Sequence, residues 1–301
     1  MTAVLLPGGT LFVLAGALVR RWMVRRRARM RRVELVYLRT LVAMCGGRWN
    51  LYRFPWMGCP GSRSALAEAI AGLCRATCGC DRTLLRSVMR SYDIERMLLR
   101  RLRRPFGRAR TLALLSALPL ESSSLRKIEP YARSRSHRVR FYALLARLSA
   151  APARAMELLR SYPDAWTDFE CRELLALLRR GVLPLPCEPL LRAPEANLRR
   201  LGLCIVRHFG VETASERLLA LSSDDRMRRE AIETLCDLHR PLSGAAGEAW
   251  RSLPAGERRA LLRRAAAEGY ALRGVEELLC GDERLYFERL AATYKSSALW
   301  A

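Results

Sequence analysis

A near-thirty-residue rhythm of amphipathic segments occupies the carboxyl-terminal two-thirds of this 301-residue chain and limits what it can fold into. RARTLALLSAL begins at Arg108, and RVRFYALLARL follows thirty residues later at Arg138. Arg108 aligns with Arg138, Arg110 with Arg140, Ala113 with Ala143, and Leu114-Leu115 with Leu144-Leu145. DFECRELLALL from Asp168 keeps the leucines and loses the basic pair; further phases start at Asn197, Arg226, Gly256 and Arg284. Each phase spaces apolar side chains at i, i+3, i+4 and i+7, the signature of a helix with one buried face. Small residues in the first turns (Ala113, Ala143, Gly202, Ala231) let neighbouring helices approach closely. Turn signals lie between phases at Pro119, Pro163, Pro241 and Pro254, leaving room for a second helix in each period. Two short helices cannot bury their apolar faces alone, but stacked pairs share a continuous core.

The clearest unit lies between Glu212 and Leu238. There a first helix ends at Ser222-Ser223-Asp224-Asp225 and Met227-Arg228-x-x-Ala231 follows. A hydrophobic-Arg-x-x-Ala pattern after an Asp-containing turn resembles a HEAT repeat of the short bacterial type. Val139-Arg140-x-x-Ala143 and Leu198-Arg199-x-x-Gly202 are similar to it. The resemblance covers about residues 105–295. It implies an all-α, right-handed α-solenoid of six to seven HEAT-like helix pairs. In that family the turn Asp and the helix Arg form a ladder of charge-assisted hydrogen bonds between repeats. By resemblance Asp225 and Arg228, with Arg199 and Arg140, would supply it.

The amino terminus carries a different signal. An apolar run opens at Ala3, continues through Leu11, Phe12, Val13, Leu14 and Leu18, and closes at Val19. Eight arginines follow within residues 20–32, beginning with Arg20-Arg21. A bilayer core needs about 20 apolar residues, with a working range of about 17–25. Arg20 and Arg21 can snorkel and Trp22 can sit at the interface, although Pro7, Gly8, Gly9 and Thr10 weaken the span. A cleaved secretory signal, with Ala15-Gly16-Ala17 as its cleavage site, is opposed by the uncharged amino end and the arginines just downstream. The expectation is one uncleaved transmembrane helix in the inner membrane, amino terminus out and body cytoplasmic. The chain then divides into an anchor with arginine stop-transfer (1–32), an irregular helical capping region (33–104) and the repeat array (105–301). As a whole it resembles membrane-anchored bacterial HEAT-repeat proteins.

Net charge is +24; the eight tail arginines leave +16 on the body, so the tail alone does not explain the basicity. Such a field attracts acidic proteins, anionic membrane surfaces or nucleic acid. The richest stretch carries Arg100, Arg101, Arg103, Arg104, Arg108, Arg110, Arg133, Arg135 and Arg138 as a candidate anionic-partner patch, against only Glu121 and Glu129. Cysteines are scattered singly, apart from Cys74, Cys78 and Cys80 with Cys59 upstream, a spacing that fits no standard zinc module. With three histidines, no phosphate-binding glycine loop and no nucleophile–base pattern, no catalytic, metal or cofactor-binding residue is expected.

The reading that follows is a non-enzymatic, membrane-tethered scaffold binding a protein partner at the cytoplasmic face. The alternative is a nucleic-acid-binding protein related to the HEAT-like alkylpurine DNA glycosylases. There Trp166 with Asp164 or Asp168 would be the aromatic–carboxylate group at the lesion.

Overall fold

Helix dominates every part of the computed structural model, which describes residues 6–47, 54–77, 79–181, 186–242, 244–267 and 277–298. Among them lie sixteen α-helices and no β-strand. The contacts divide the chain into two compact units: Met1–Leu158 with Ala176–Pro184, and Leu159–Leu175 with Leu185–Ala301.

The first unit contains α1 (Leu6–Cys45), α2 (Ser62–Ala76), α3 (Arg82–Ser91), α4 (Ile94–Arg101), α5 (Arg108–Ala117), the short α6 (Leu125–Ile128) and α7 (His137–Ala150). The division falls within α8 (Ala155–Arg160) and α9 (Asp168–Arg179). The second unit continues with α10 (Cys187–Leu191), α11 (Ala196–Phe209), α12 (Ser215–Ser222), α13 (Arg228–Asp237), α14 (Ala245–Ser252), α15 (Ala255–Ala267) and α16 (Gly281–Ala298). The sequence phases at 108, 138, 168, 197, 226, 256 and 284 fall within three residues of the starts of α5, α7, α9, α11, α13, α15 and α16.

Packing in each unit runs mainly between neighbours in sequence: α1 on α2, α2 on α5, α5 on α7, then α10 on α11, α11 on α13, α12 on α14 and α15 on α16. Small side chains make the close approaches. Ala65, Ala67, Ala69 and Ala71 are buried along α2, and Ala143 and Ala146 along α7. The carboxyl half of α1 contributes Tyr37 and Leu41 to the first core. The Tyr37 hydroxyl donates to the Pro55 carbonyl at 2.7 Å, and its ring meets Phe54 edge-on at 5.4 Å.

Helix termini follow local rules. Asp81 accepts from the Thr83 and Leu84 N–H groups and caps α3. At α9 a capping box forms: the Thr167 N–H donates to Glu170 Oε2 at 3.0 Å, and the Glu170 N–H donates to Thr167 Oγ1 at 3.2 Å. An arginine early in each of four helices binds an open carbonyl of the preceding turn. Arg108 donates to Leu102 at 3.0 Å, Arg140 to Ser134 at 2.7 Å, Arg228 to Ser222 at 3.3 Å and Arg258 to Leu253 at 2.6 Å. By this role Arg140 is equivalent to Arg108, two residues from the Arg110 that sequence alignment pairs with it.

The transmembrane expectation is overturned. Among the described residues, no helix is long and apolar enough to cross a membrane. The apolar run and the arginine tail belong to one unbroken forty-residue helix, α1. Before its first arginine that helix offers only residues 6–19, about 21 Å at 1.5 Å per residue, against a hydrocarbon core of about 30 Å. Pro7, Gly8, Gly9 and Thr10 take up part of even that length. Leu11, Phe12, Val13, Leu14, Leu18, Val19, Arg20, Arg21 and Trp22 are therefore positions on α1, not a membrane anchor, while Ala3 lies outside the described residues. The single-pass inner-membrane placement loses its basis with the span. Leu18, Val19 and Trp22 are exposed, and the Arg26 guanidinium lies over the Trp22 ring at 5.0 Å. The expected architecture, a solenoid joined to a transmembrane helix, reduces to its coarser part, an all-α chain.

Gly202 shows how tightly α10 and α11 pack. A Cβ there would fall 2.9 Å from Leu191 Cδ2 and 3.1 Å from the Leu191 backbone nitrogen. Gly202→Ala is expected to destabilise by about 1–3 kcal/mol, as overpacked cores do. Gly72→Ala on α2, where a Cβ meets nothing within 4 Å, should instead stabilise by about 0.5–1 kcal/mol. Urea unfolding midpoints moving in opposite directions are the check.

Candidate functional site

The arginine-rich stretch of the first unit folds into two adjacent turns. Residues 102–107 link α4 to α5, and residues 131–136 lead into α7. The Tyr131 hydroxyl donates to the Leu102 carbonyl at 2.9 Å, and the Arg108 guanidinium lies 5.6 Å from the centre of the Tyr131 ring. Arg108 also reaches the Arg103 carbonyl at 3.4 Å, while Arg140 holds the Arg135 carbonyl at 3.1 Å. Two arginines are thus spent on building the turns that present the others.

The nine patch residues separate accordingly. Arg101 donates to Ser64 Oγ at 2.5 Å, Arg110 pairs with Glu68 at 2.9 Å, and Arg108 is the turn anchor just described. Arg100, Arg103, Arg104, Arg133, Arg135 and Arg138 are exposed. None of these six forms an ion pair among the described residues. At the tip of the first turn Phe106 is 94% exposed. Pro105 precedes it, and Gly107 follows with φ of 82°, a left-handed turn that favours glycine. Sequence reading passed over Phe106; the Arg-Pro-Phe-Gly turn at the end of α4 was the available signal. Phe106 is thus exposed on the same turn as Arg103 and Arg104, and that turn is bonded to the one carrying Arg133 and Arg135.

The second unit holds a cleft of about 760 Å³ lined by α9, α11, α13 and α15. Its walls are a chain of arginine–carboxylate pairs. Arg207 on α11 meets Asp237 at 2.8 Å and Glu233 at 3.4 Å, both on α13, and Arg264 on α15 reaches Asp237 at 3.1 Å and also pairs with Glu233. Arg200 meets Asp168 at 3.6 Å and donates to the Trp166 carbonyl at 2.9 Å. The residues proposed for a repeat ladder are placed differently from one another. Arg199 pairs with Asp224 at 3.2 Å, whereas Asp225 pairs with Arg228 inside its own turn and Arg140 serves the turn before α7. Arg207, Glu233, Asp237 and Arg264, which sequence reading did not select, link α11, α13 and α15.

Two thiols lie in the same cleft. Cys171 on α9 and Cys204 on α11 both line it, and each perturbs the other's titration. The neighbouring Cys204 and burial push the Cys171 thiol up. The neighbouring Cys171 pulls Cys204 down to about 7 against burial, with Arg207 and Arg200 adding to the same effect and Asp168 opposing it. In the first unit burial and the neighbouring Cys80 push Cys74 up to about 12. Cys59 is exposed, and Cys78 lies outside the described residues. Among the described residues no group of three or more His, Cys, Asp or Glu side chains is placed to hold a metal ion.

The aromatic–carboxylate group does not form a binding site. Trp166 is 1% exposed and stacks on Tyr162 at 4.5 Å and 14°, while Asp168 points to solvent. Asn197 donates to the Asp164 carbonyl at 2.7 Å, which ties that loop to α11.

No known protein family matches this chain, and no curated protein does. Among solved structures it is similar to the crystal structure of an engineered protein, a Northeast Structural Genomics Consortium target. That likeness has 15% identity over 78% of this chain and 92% of the other, with a TM-score of 0.21, and at that level carries no argument.

Proposed function

We propose that this chain is a non-enzymatic binding module that holds an acidic segment of a protein partner on the basic edge of its first unit. The observation that supports this reading is the set of six exposed arginines that form no ion pair among the described residues, on and beside two bonded turns, one of which presents Phe106. Unpaired guanidinium groups offer bidentate geometry to carboxylates and raise encounter rates. Phe106 supplies the apolar anchor that distinguishes a specific site from a general positive field. The turns are held by Tyr131, Arg108 and Arg140, so little ordering cost is left for binding.

The test uses the full chain and a fluorescein-labelled peptide of alternating glutamate and leucine, with a lysine counterpart, duplex DNA and single-stranded RNA as competitors. The acidic peptide should bind, weaken with salt, and lose about tenfold or more in affinity when Arg103, Arg104 and Arg135 are all changed to Glu. Phe106→Ala should weaken binding without changing its salt dependence. Tighter binding of DNA or RNA than of the acidic peptide at physiological salt would overturn the reading.

A further inference from the structure

A pocket of about 420 Å³ lies wholly within the first unit, at the opposite ends of α5 and α7 from the arginine-rich turns. Thr77 at the end of α2, Ser116 near the end of α5 and Ser149 near the end of α7 line it. So do three arginines: Arg82, the first residue of α3, and Arg179 and Arg180 at the carboxyl end of α9. Among the described residues no carboxylate lines it, and residues 78 and 182–185, neighbours in sequence, include no acid. Arginines are favoured at helix carboxyl ends, and Arg180 Nε donates to the Ala176 carbonyl at 2.8 Å, so part of this charge serves α9 itself. Arg82 has no such role. It sits at the positive, amino-terminal end of α3, where a cation is disfavoured. Asp81 beside it is taken up by the Thr83 and Leu84 N–H groups. Arg82 is partly buried and forms no ion pair or hydrogen bond among the described residues. A guanidinium so placed is stabilised by an anion, to which its planar fork presents two N–H donors.

The three hydroxyls have the opposite character. Thr77 donates to the Leu73 carbonyl at 2.7 Å, Ser116 to Ala113 at 2.9 Å and Ser149 to Leu118 at 3.4 Å. With their protons directed at the backbone, these oxygens are left as acceptors. Small-molecule sites measure about 300–1,000 Å³ and combine a few fixed polar groups in this way. We propose that the pocket binds a small phosphate ester with a hydroxylated carbon body, a sugar phosphate in kind. Arg82 holds the phosphoryl oxygens, with Arg179 and Arg180 adding charge, and Thr77, Ser116 and Ser149 accept from the sugar hydroxyls. A phosphoryl group carries about −1.5 to −2 charge at pH 7 and three acceptor oxygens, and so matches three guanidinium groups better than a single carboxylate does.

The experiment titrates the full chain with ribose 5-phosphate, ribose and phenyl phosphate by calorimetry. It also follows iodoacetamide labelling of Cys80, partly buried in the lining, against exposed Cys59. Ribose 5-phosphate should bind at least about tenfold tighter than ribose, and about two- to tenfold tighter than phenyl phosphate, which has no hydroxyl on its ring. It should slow labelling at Cys80 and leave Cys59 unchanged, a readout that needs no variant. Arg82→Gln should weaken ribose 5-phosphate about tenfold or more without unfolding the chain, since the fold uses no bond of Arg82. Ser149→Ala should reduce the preference over phenyl phosphate while leaving phenyl phosphate binding unchanged, which lost folding would not do. Changing Arg103, Arg104 and Arg135 to Glu should leave ribose 5-phosphate binding intact. Those residues lie beyond the far end of α5, about 15 Å long, against a screening length of about 8 Å at physiological salt. The outcome therefore stands apart from that of the acidic-peptide test. Ribose 5-phosphate bound no tighter than ribose, phenyl phosphate bound as tightly as ribose 5-phosphate, an unchanged labelling rate at Cys80, or binding lost in the triple variant would each overturn the proposal.

Discussion

Trp166→Ala is expected to destabilise the second unit by about 3–5 kcal/mol, the usual cost of emptying a buried aromatic site. The side chain is 1% exposed and lies flat on Tyr162. Tyr162 in turn donates to Glu170, the buried carboxylate that also closes the capping box of α9. Removing the indole therefore leaves a cavity beside a polar group whose bonds depend on a fixed ring. Trp166→Phe should cost much less, about 1–2 kcal/mol, because a large aromatic remains and the indole N–H has no acceptor among the described residues. Urea unfolding of both variants checks this. A near-neutral Trp166→Ala that nonetheless abolished nucleic-acid binding would show an indole serving a ligand instead of the core.

The second large effect is expected at Asp237. Its side chain is 8% exposed and accepts from Arg207 and Arg264, which approach from α11 and α15. Asp237→Ala leaves both guanidinium groups with Glu233 as their shared partner. Breaking a buried ion pair costs about 3–5 kcal/mol. Because both arginines remain partly in contact with water, about 2–3 kcal/mol is expected here. A double-mutant cycle with Arg207→Ala should return a coupling above about 1 kcal/mol that persists in high salt. Additive losses would mean that the chain of pairs does not link α11, α13 and α15 energetically.

Where helices begin was legible because the signals are local. Apolar spacing places starts at 108, 138, 168, 197 and 256, each within one residue of a helix amino terminus. At Arg226 and Arg284 the starts slip by two and three residues, since α13 waits for the turn after Asp224 and α16 begins earlier, at Gly281. Partner choice was less legible. Asp224 and Asp225 are adjacent and chemically alike, and only the turn's backbone directs one to Arg199 and the other to Arg228. Apolar content at the amino terminus was read correctly, but its continuation into an arginine-rich helix too short in apolar length is what excludes a span. The likeness of Trp166 to a ligand-stacking residue failed because its burial against Tyr162 is set by chain folding.

By itself the sequence determined an all-α chain, the approximate starts of its helices and a large arginine excess, because propensity, periodicity and charge act over a few residues. Only the tertiary structure decided which arginines are used up and which stay free. Arg108 and Arg140 build turns, Arg207 and Arg264 pair with α13, and Arg103, Arg104 and Arg135 remain open. It also decided that Cys171 and Cys204, thirty-three residues apart in sequence, line one cleft. The physical reason is common to both. A side chain's partner is whatever the packing of two helix faces brings within a few ångströms, and a helix presents the same residues whichever neighbour comes to cover them.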